Sequence, residues 1–307
     1  MESTLTAPTP NMKIASLLPS ATELAGELGI VDRLCAISHE CDTPASAMGL
    51  PRVTGSVIPE GLPQLEINRL VAEATSEGKS LYTVDAALLD ELQPDLILTQ
   101  GLCEVCAVTP STIEASLRGV QCTLPRDTKI ISFCGESLEG IRDDFFALAE
   151  ATDETARAES VWRERKASWD AIAPTPTTKR VLLLEWVDPP YSPGHWVPEQ
   201  LAAAGLVSAF GAPGEHSRPL TMQQVADAEP EAIGVISCGF DLEANLGFAR
   251  QLRAKLRESI GYTGPMAAFD ANRCFSRPTF AIVDGARVLH DTFVRGEAVA
   301  GRSAFVD

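Results

Sequence analysis

The 307-residue sequence lacks any apolar run as long as the roughly 18 residues that a membrane-spanning helix requires. It also lacks the basic start and apolar core of an export signal, because residues 1–11 are polar, carry Glu2 and contain prolines. These absences predict a cytoplasmic protein whose residues 1–11 form a disordered tail. In that compartment the eight cysteines are expected to stay largely reduced.

Positive charge is scarce in this chain. Lysine and arginine together number 25 against 42 aspartates and glutamates, which gives a formal net charge of −17 at pH 7. A nucleic-acid partner would require a basic surface, and an anionic membrane surface would repel such a chain. We therefore expect neither nucleic acid nor membrane as a partner.

The motifs of several common catalytic folds are also absent. The chain contains no GxGxxG, no Walker A loop and no GxSxG elbow, and its spacing shows no Ser-His-Asp arrangement. A catalytic function would depend on Cys103 or Cys106 together with His39 or His195, which is a weak pattern. The sequence favours a protein that is not an enzyme and requires no cofactor, and a thiol-dependent enzyme is the alternative.

The chain does contain short apolar strands that alternate with helical patterns, which is typical of an α/β fold with mainly parallel sheets. Residues 153–173 predict one long helix, with Thr152 or Asp153 as its cap and Pro174 beyond its end. We predict two Rossmann-like lobes, residues 12–152 and 179–307, joined by this helix and a turn over 153–178. The alternative is a crossover helix inside one large α/β domain.

Apolar periodicity and turn residues predict the individual elements. Ser20 to Glu23 has a capping-box pattern at the start of the first helix, and Gly29 is suited to end it. Strands are predicted at Lys13–Leu18, Leu34–Ser38, Leu81–Val84, Asp95–Gln100, Lys129–Phe133, Arg180–Trp186, Ala232–Ser237, Met266–Phe269 and Thr279–Val283. Helices are predicted at Ser20–Leu28, Gln64–Glu77, Ala86–Leu92, Pro110–Leu117, Ser137–Glu150, Pro198–Ala204, Thr221–Ala228, Asp241–Glu258 and Gly285–Glu297.

Ligands of open parallel sheets bind beyond the carboxyl ends of the strands, so the residues that follow each strand are the candidate binding residues. They include hydroxyls at a helix N-terminus, polar groups and a set of aromatic side chains that suits a flat ligand. The candidates are Ser20, Thr22, His39, Glu40, Trp186, Tyr191, His195, Trp196, Phe240, Asn272 and Arg273.

Cysteines also concentrate at the predicted strand ends. His39, Cys41, Cys103 and Cys106 would form a zinc or iron site if their two loops are neighbours, because thiolate and imidazole favour such metals. Packed thiols and a redox pair at Cys103 and Cys106 are the alternatives.

Several segments resemble one known family. They are IASLLPSATELAGELG at 14–29, PDLILT at 94–99, PEAIGVIS at 230–237 and RPTFAIVDGARVL at 277–289, together with the central helix and a tryptophan-bearing loop. The chain is similar to the class III periplasmic substrate-binding proteins of ABC importers, which bind cobalamin or ferric siderophores, and most similar to the cobalamin branch. The resemblance implies two α/β lobes joined by one long helix. It also implies a corrinoid in the cleft between them, held by Trp186, Tyr191 and Trp196.

The sequence departs from that family in three places. It lacks the export signal, it has the cysteine-rich loops, and Ala87 and Gln223 stand where the resemblance implies glutamates that dock on the importer. We therefore expect a ligand-binding protein for a cobalamin-like corrinoid or metal chelate that is not coupled to an ABC permease. A zinc- or iron-binding protein that uses the Cys/His loops is the alternative.

Overall fold

The structure, a computed structural model, describes residues 12–59, 61–77, 79–101, 128–173 and 175–307. It is a mixed α/β fold with mainly parallel sheets, which confirms the predicted fold class. The chain divides into two compact units. The N-terminal unit comprises the residues up to Gly135 and Gly140–Trp162, and the C-terminal unit comprises Glu136–Glu139 and Arg163–Asp307. The division at Trp162 and Arg163 falls inside the predicted long helix.

The N-terminal unit contains a four-stranded parallel sheet in the order β2-β1-β5-β6, and β3 pairs with β4 in a small antiparallel ribbon. Ala15, Leu17 and Ile97 from the sheet pack with Leu89 in a fully apolar cluster. The strands are β1 (Ile14–Ser16), β2 (Leu34–Ala36), β3 (Thr54–Ser56), β4 (Tyr82–Val84), β5 (Leu96–Gln100) and β6 (Lys129–Phe133). The helices are α1 (Pro19–Leu28), α2 (Gln64–Glu77), α3 (Ala86–Leu92) and α4 (Leu138–Ala151). The helix predicted at 110–117 lies outside the described residues.

The first helix begins without the predicted capping box. It starts at Pro19, and Leu18 occupies the N-cap position with no side-chain cap. Proline suits the first helical position because its fixed φ is already helical and it has no N–H to satisfy. The end is as predicted, since Gly29 adopts the left-handed conformation with φ 78°.

The C-terminal unit contains a five-stranded sheet in the order β10-β7-β11-β12-β13, parallel except for β13. Leu182, Ile233, Leu252 and Leu256 belong to its main apolar cluster. The strands are β7 (Arg180–Leu184), β8 (Trp186–Val187), β9 (Pro190–Tyr191), β10 (Val207–Ser208), β11 (Ala232–Val235), β12 (Met266–Phe269) and β13 (Ser303–Phe305). The remaining helices are α5 (Thr155–Asp170), which both units share, α6 (Val197–Ala203), α7 (Met222–Asp227), α8 (Leu242–Ile260), α9 (Ala271–Cys274) and α10 (Ala281–His290).

The strand predicted at Thr279–Val283 is wrong. The run belongs to the start of α10, and a π-helical turn over Asp291–Arg295 continues that helix. Ile282 and Val283 are almost fully buried, and a short apolar run buried on all sides has the same pattern in a strand and in a helix. The edge strand β13 was not predicted.

The long helix α5 is shorter than the predicted 153–173. Thr152 donates its hydroxyl to Leu148 O at the end of α4, and Asp153 has φ 60°, so neither residue starts the helix. Arg33 fixes this corner, because its guanidinium donates to Thr152 O at 2.7 Å and pairs with Glu154 at 2.5 Å. Within the described residues, no helix combines the length and apolar character needed to cross a bilayer.

Candidate functional site

Aromatic side chains meet where β7 and β11 of the C-terminal sheet end. The rings of Trp186 and Phe240 lie 5.9 Å apart, and Phe248 meets Phe240 edge to face at 5.0 Å. Trp186 Nε1 is buried and has no hydrogen-bond partner among the residues that the structure describes. A buried indole N–H usually finds an acceptor, so the unpaired Nε1 is an unusual feature of this aromatic edge.

Asn245, which sequence reasoning missed, holds the loops that follow β11 and β12. It is fully buried in α8, accepts a hydrogen bond from Ser237 N and donates to Phe240 O and Phe269 O. Asn272 N donates in turn to Phe240 O. Asn245 is a polar residue on the buried side of an amphipathic helix. This position could have identified it from the sequence, because a buried amide is normally hydrogen-bonded and therefore holds neighbouring segments in place.

Glu185 anchors the loop that follows β7. Its carboxylate accepts a hydrogen bond from Gly194 N at 2.8 Å. Burial raises the pKa of Glu185 to about 7, and the hydrogen bonds from Gly194 and Ser217 offset only part of that desolvation. The group therefore titrates near neutral pH while holding the loop in place.

Two histidines are brought together by the backbone of this loop. His195 N donates to Glu215 O at 2.7 Å, and Gly214 N donates back to His195 O at 2.9 Å. Gly194 allows this approach, because a Cβ there would lie 2.3 Å from Ser217 N. As a result the rings of His195 and His216 lie 5.0 Å apart, edge to face.

Glu136 completes a group of three possible metal ligands in the C-terminal unit. Its Oε1 lies 3.5 Å from His195 Nδ1, and one ligand atom from each of Glu136, His195 and His216 lies within 4.8 Å of the others. The segment is tied to α6 by Leu138 N, which donates to Glu199 Oε2 at 2.8 Å. The strand-end rule selected His195 but not His216, which follows no predicted strand.

The other aromatic candidates occupy different environments. Trp196 is 6 % exposed, and its indole donates to Phe275 O at 2.9 Å, so this ring packs in the interior of the C-terminal unit. Its expected contact with a ligand stays a prediction. Tyr191 is half-buried opposite Trp186 in the β8–β9 hairpin, and Arg273 is exposed on α9.

In the N-terminal unit, His39 and Glu40 lie beside the β3–β4 ribbon. His39 Nδ1 lies 2.7 Å from Thr54 Oγ1, and its ring lies 5.8 Å from the ring of Tyr82. The Tyr82 hydroxyl donates to Glu40 Oε1 at 3.4 Å. These contacts place both candidates at the surface of one loop.

Ser20, Thr22 and Cys41 lie beneath that surface. Ser20 and Cys41 are 3 % exposed, and the Thr22 hydroxyl donates to Ser16 Oγ and lies 3.2 Å from Cys41 Sγ. Both side chains are covered by protein, and the expected ligand contacts of Ser20 and Thr22 stay a prediction.

The predicted metal set of His39, Cys41, Cys103 and Cys106 stays a prediction. Cys103 and Cys106 lie outside the described residues. Arg52 donates to the carbonyl oxygens of Ser38, His39 and Cys41, which holds the loop that carries the other two. Among the described cysteines, burial raises the pKa of Cys274 to about 12, which leaves its thiol protonated and unreactive.

Comparison with known proteins gives a match of fold. No protein-family model and no curated protein matches the sequence. The periplasmic vitamin B12-binding protein BtuF of Vibrio cholerae matches with a TM-score of 0.62 and 21 % identity over 92 % of this chain and 96 % of its own. The periplasmic heme-binding protein HutB of Vibrio cholerae matches with a TM-score of 0.63 and 17 % identity, over 91 % of this chain and 97 % of its own. A possible iron-binding periplasmic protein from Staphylococcus epidermidis matches with a TM-score of 0.64 and 16 % identity, over 91 % of this chain and 97 % of its own.

These matches correct one expectation and confirm another. The expected cytoplasmic location is wrong, since the matching structures are described as periplasmic proteins. The suspected resemblance is confirmed, although proteins described as binding heme or iron match as well as the vitamin B12 binder. The chain has the fold of the periplasmic solute-binding proteins.

Proposed function

We propose that the protein is an extracytoplasmic solute-binding protein that captures a corrinoid or another flat metal chelate at the carboxyl edge of its C-terminal sheet. Proteins described as binding vitamin B12 and heme share its fold, which supports this ligand class. Both ligands are large macrocycles around a metal, with polar groups at the rim. No catalytic step is part of the proposal.

The observation that carries the proposal is the aromatic pair of Trp186 and Phe240 at this sheet edge. Aromatic faces bind flat ligands through apolar contact and offset stacking. Both rings are only partly buried, so the edge offers such a ligand an aromatic surface.

Titration with cyanocobalamin and, separately, with hemin tests the proposal, with tryptophan fluorescence and ligand absorption as readouts. We expect one of the two to bind at a 1:1 ratio, and Trp186→Ala to weaken its binding about tenfold or more. Trp186→Phe should give an intermediate loss, because it keeps an aromatic ring of smaller area.

Trp162→Ala is the matched control, since Trp162 belongs to the N-terminal unit, where its ring packs against Arg142 of α4. It should leave the affinity unchanged. The proposal fails if the unmodified protein binds neither ligand, or if Trp186→Ala binds as tightly as the unmodified protein with a normal melting temperature.

We extend the proposal to the protein's partners: it acts without a stable complex with an ABC permease. The support is the absence of a carboxylate at Ala87 and Gln223, both of which are exposed on short helices.

A further inference from the structure

We propose that Glu136, His195 and His216 form a binding site for a free divalent transition metal ion such as Zn²⁺ or Co²⁺. The site lies within the C-terminal unit and uses no residue of the proposed chelate-binding surface. It also differs from the set His39, Cys41, Cys103 and Cys106, because it contains no thiol.

The donor atoms have the chemistry and the spacing that such an ion requires. Two imidazoles and one carboxylate are donors that zinc and cobalt accept readily. Metal–ligand bonds of 2.0–2.1 Å in a tetrahedron place the ligand atoms about 3.3 Å apart. The three atoms lie within 4.8 Å of one another, and Glu136 Oε1 is already 3.5 Å from His195 Nδ1. Small side-chain rotations therefore suffice to close the site.

The backbone holds the two imidazoles together before any metal binds. The hydrogen bonds His195 N to Glu215 O and Gly214 N to His195 O join the two loop segments directly. His195 has φ 50°, a left-handed conformation that costs a non-glycine residue about 1 kcal/mol and persists only where the surroundings enforce it. This conformation is part of the arrangement that places the ring of His195 against that of His216.

An ordinary ion pair explains only part of the arrangement. An ion pair between His195 and Glu136 needs no third donor, yet a ring nitrogen of His216 lies within 4.8 Å of the ligand atoms of both. Glu136 and His195 are 34 % and 25 % exposed, so the site is partly shielded from water yet open to an ion. Three protein ligands leave a fourth position for water or for an oxygen of a solute.

Cobalt titration of the full-length protein tests the site, with visible absorption as the readout. The C103S/C106S protein serves as the background, so that two thiols of the alternative set are absent. We expect one Co²⁺ per chain, displaced by Zn²⁺, with a d–d spectrum of low coordination number and no sulfur-to-cobalt charge-transfer band. Loss of one ligand in His216→Ala should weaken binding at least tenfold, since even an outer-shell change commonly costs 10–100-fold.

His290→Ala is the matched control, because His290 lies on α10, where its Nδ1 contacts Ala204 O. It should bind Co²⁺ like the background protein. His216 is exposed, so His216→Ala should melt normally without metal and should lose the rise in melting temperature that Zn²⁺ gives the background protein. Glu136→Gln provides a second variant with the same expected loss.

Three results would overturn the proposal: no stoichiometric Co²⁺ uptake, equal affinity in the background protein and in both His216→Ala and Glu136→Gln, or a spectrum dominated by sulfur ligands. Because the titration uses the free ion, its outcome is independent of whether cyanocobalamin or hemin binds.

Discussion

At the scale of single residues, the ionisation of Glu185 in the loop after β7 should make the stability of the protein depend on pH. Its pKa is raised from 4.5 to about 7 by burial, so the folded protein keeps a proton that the unfolded chain releases above about 4.5. The unfolded state binds fewer protons in that window, and the free energy of unfolding must therefore fall as pH rises from about 4.5 to about 7. We predict that the free energy of unfolding falls by on the order of 2–3 kcal/mol between pH 5 and 8, and that this fall is absent in Glu185→Gln. Urea unfolding across this pH range measures both.

Glu159→Gln is the control for this prediction, because Glu159 is exposed on α5. Its pH profile should run parallel to that of the unmodified protein. If the Glu185→Gln profile also runs parallel, Glu185 is ionised in the folded protein throughout this range.

At the scale of elements, two helical glycines should respond in opposite ways to alanine. Gly247 lies in α8 with open space where a Cβ would be, so Gly247→Ala should stabilise the protein by about 1 kcal/mol through helix propensity. Gly285 lies in α10, where a Cβ would stand 2.3 Å from Cys274 O and 2.4 Å from Gln200 Nε2. Gly285→Ala should destabilise it by about 1–3 kcal/mol, as overpacking does. Urea unfolding of both variants measures the two effects.

The reason for the second effect is the Gln200 side chain, whose Nε2 donates to Cys274 O and to Ile282 O. These bonds join α6, α9 and α10, and the new methyl group would displace them. Gly285→Ala with unchanged stability would show that the three helices can separate without loss.

At the scale of the whole molecule, the prediction concerns binding to an ABC permease. In the family that the sequence resembles, one glutamate per lobe meets arginines of the permease, and loss of one partner of such a pair costs about 2–5 kcal/mol. Ala87 is exposed on α3, and Gln223 on α7 donates to Asp227 instead. We predict that the unmodified protein does not retain a detergent-solubilised permease of its own organism in a pull-down, and that the Ala87→Glu/Gln223→Glu protein gains affinity for it.

The double variant tests whether the missing docking charges are the reason that the protein does not bind a permease. Capture of the permease by the unmodified protein, at the level of the double variant, would contradict independence from an importer. Ala87→Gln combined with unmodified Gln223 keeps polarity without charge and should behave like the unmodified protein.

Local signals in the sequence determined the fold class and many elements. Three elements have the predicted bounds, namely Gln64–Glu77, Ala86–Leu92 and Met266–Phe269. Their apolar periodicity and flanking residues are signals that extend over only a few positions of the chain. Strand-end positions likewise selected Trp186, Phe240 and His195, since parallel strands bring their carboxyl ends to one edge.

Tertiary structure alone decided the rest. Phe280–Val283 is a short apolar run whose pattern fits a strand and a helix equally, so only its packing in the C-terminal unit makes Ala281–Val283 helical. Trp196 follows a strand like Trp186, yet its hydrogen bond to Phe275 O keeps it in the interior. Glu136, His195 and His216 come from three separate segments. Their proximity depends on backbone hydrogen bonds between loops and on the small size of Gly194, and neither leaves a periodic pattern in the sequence.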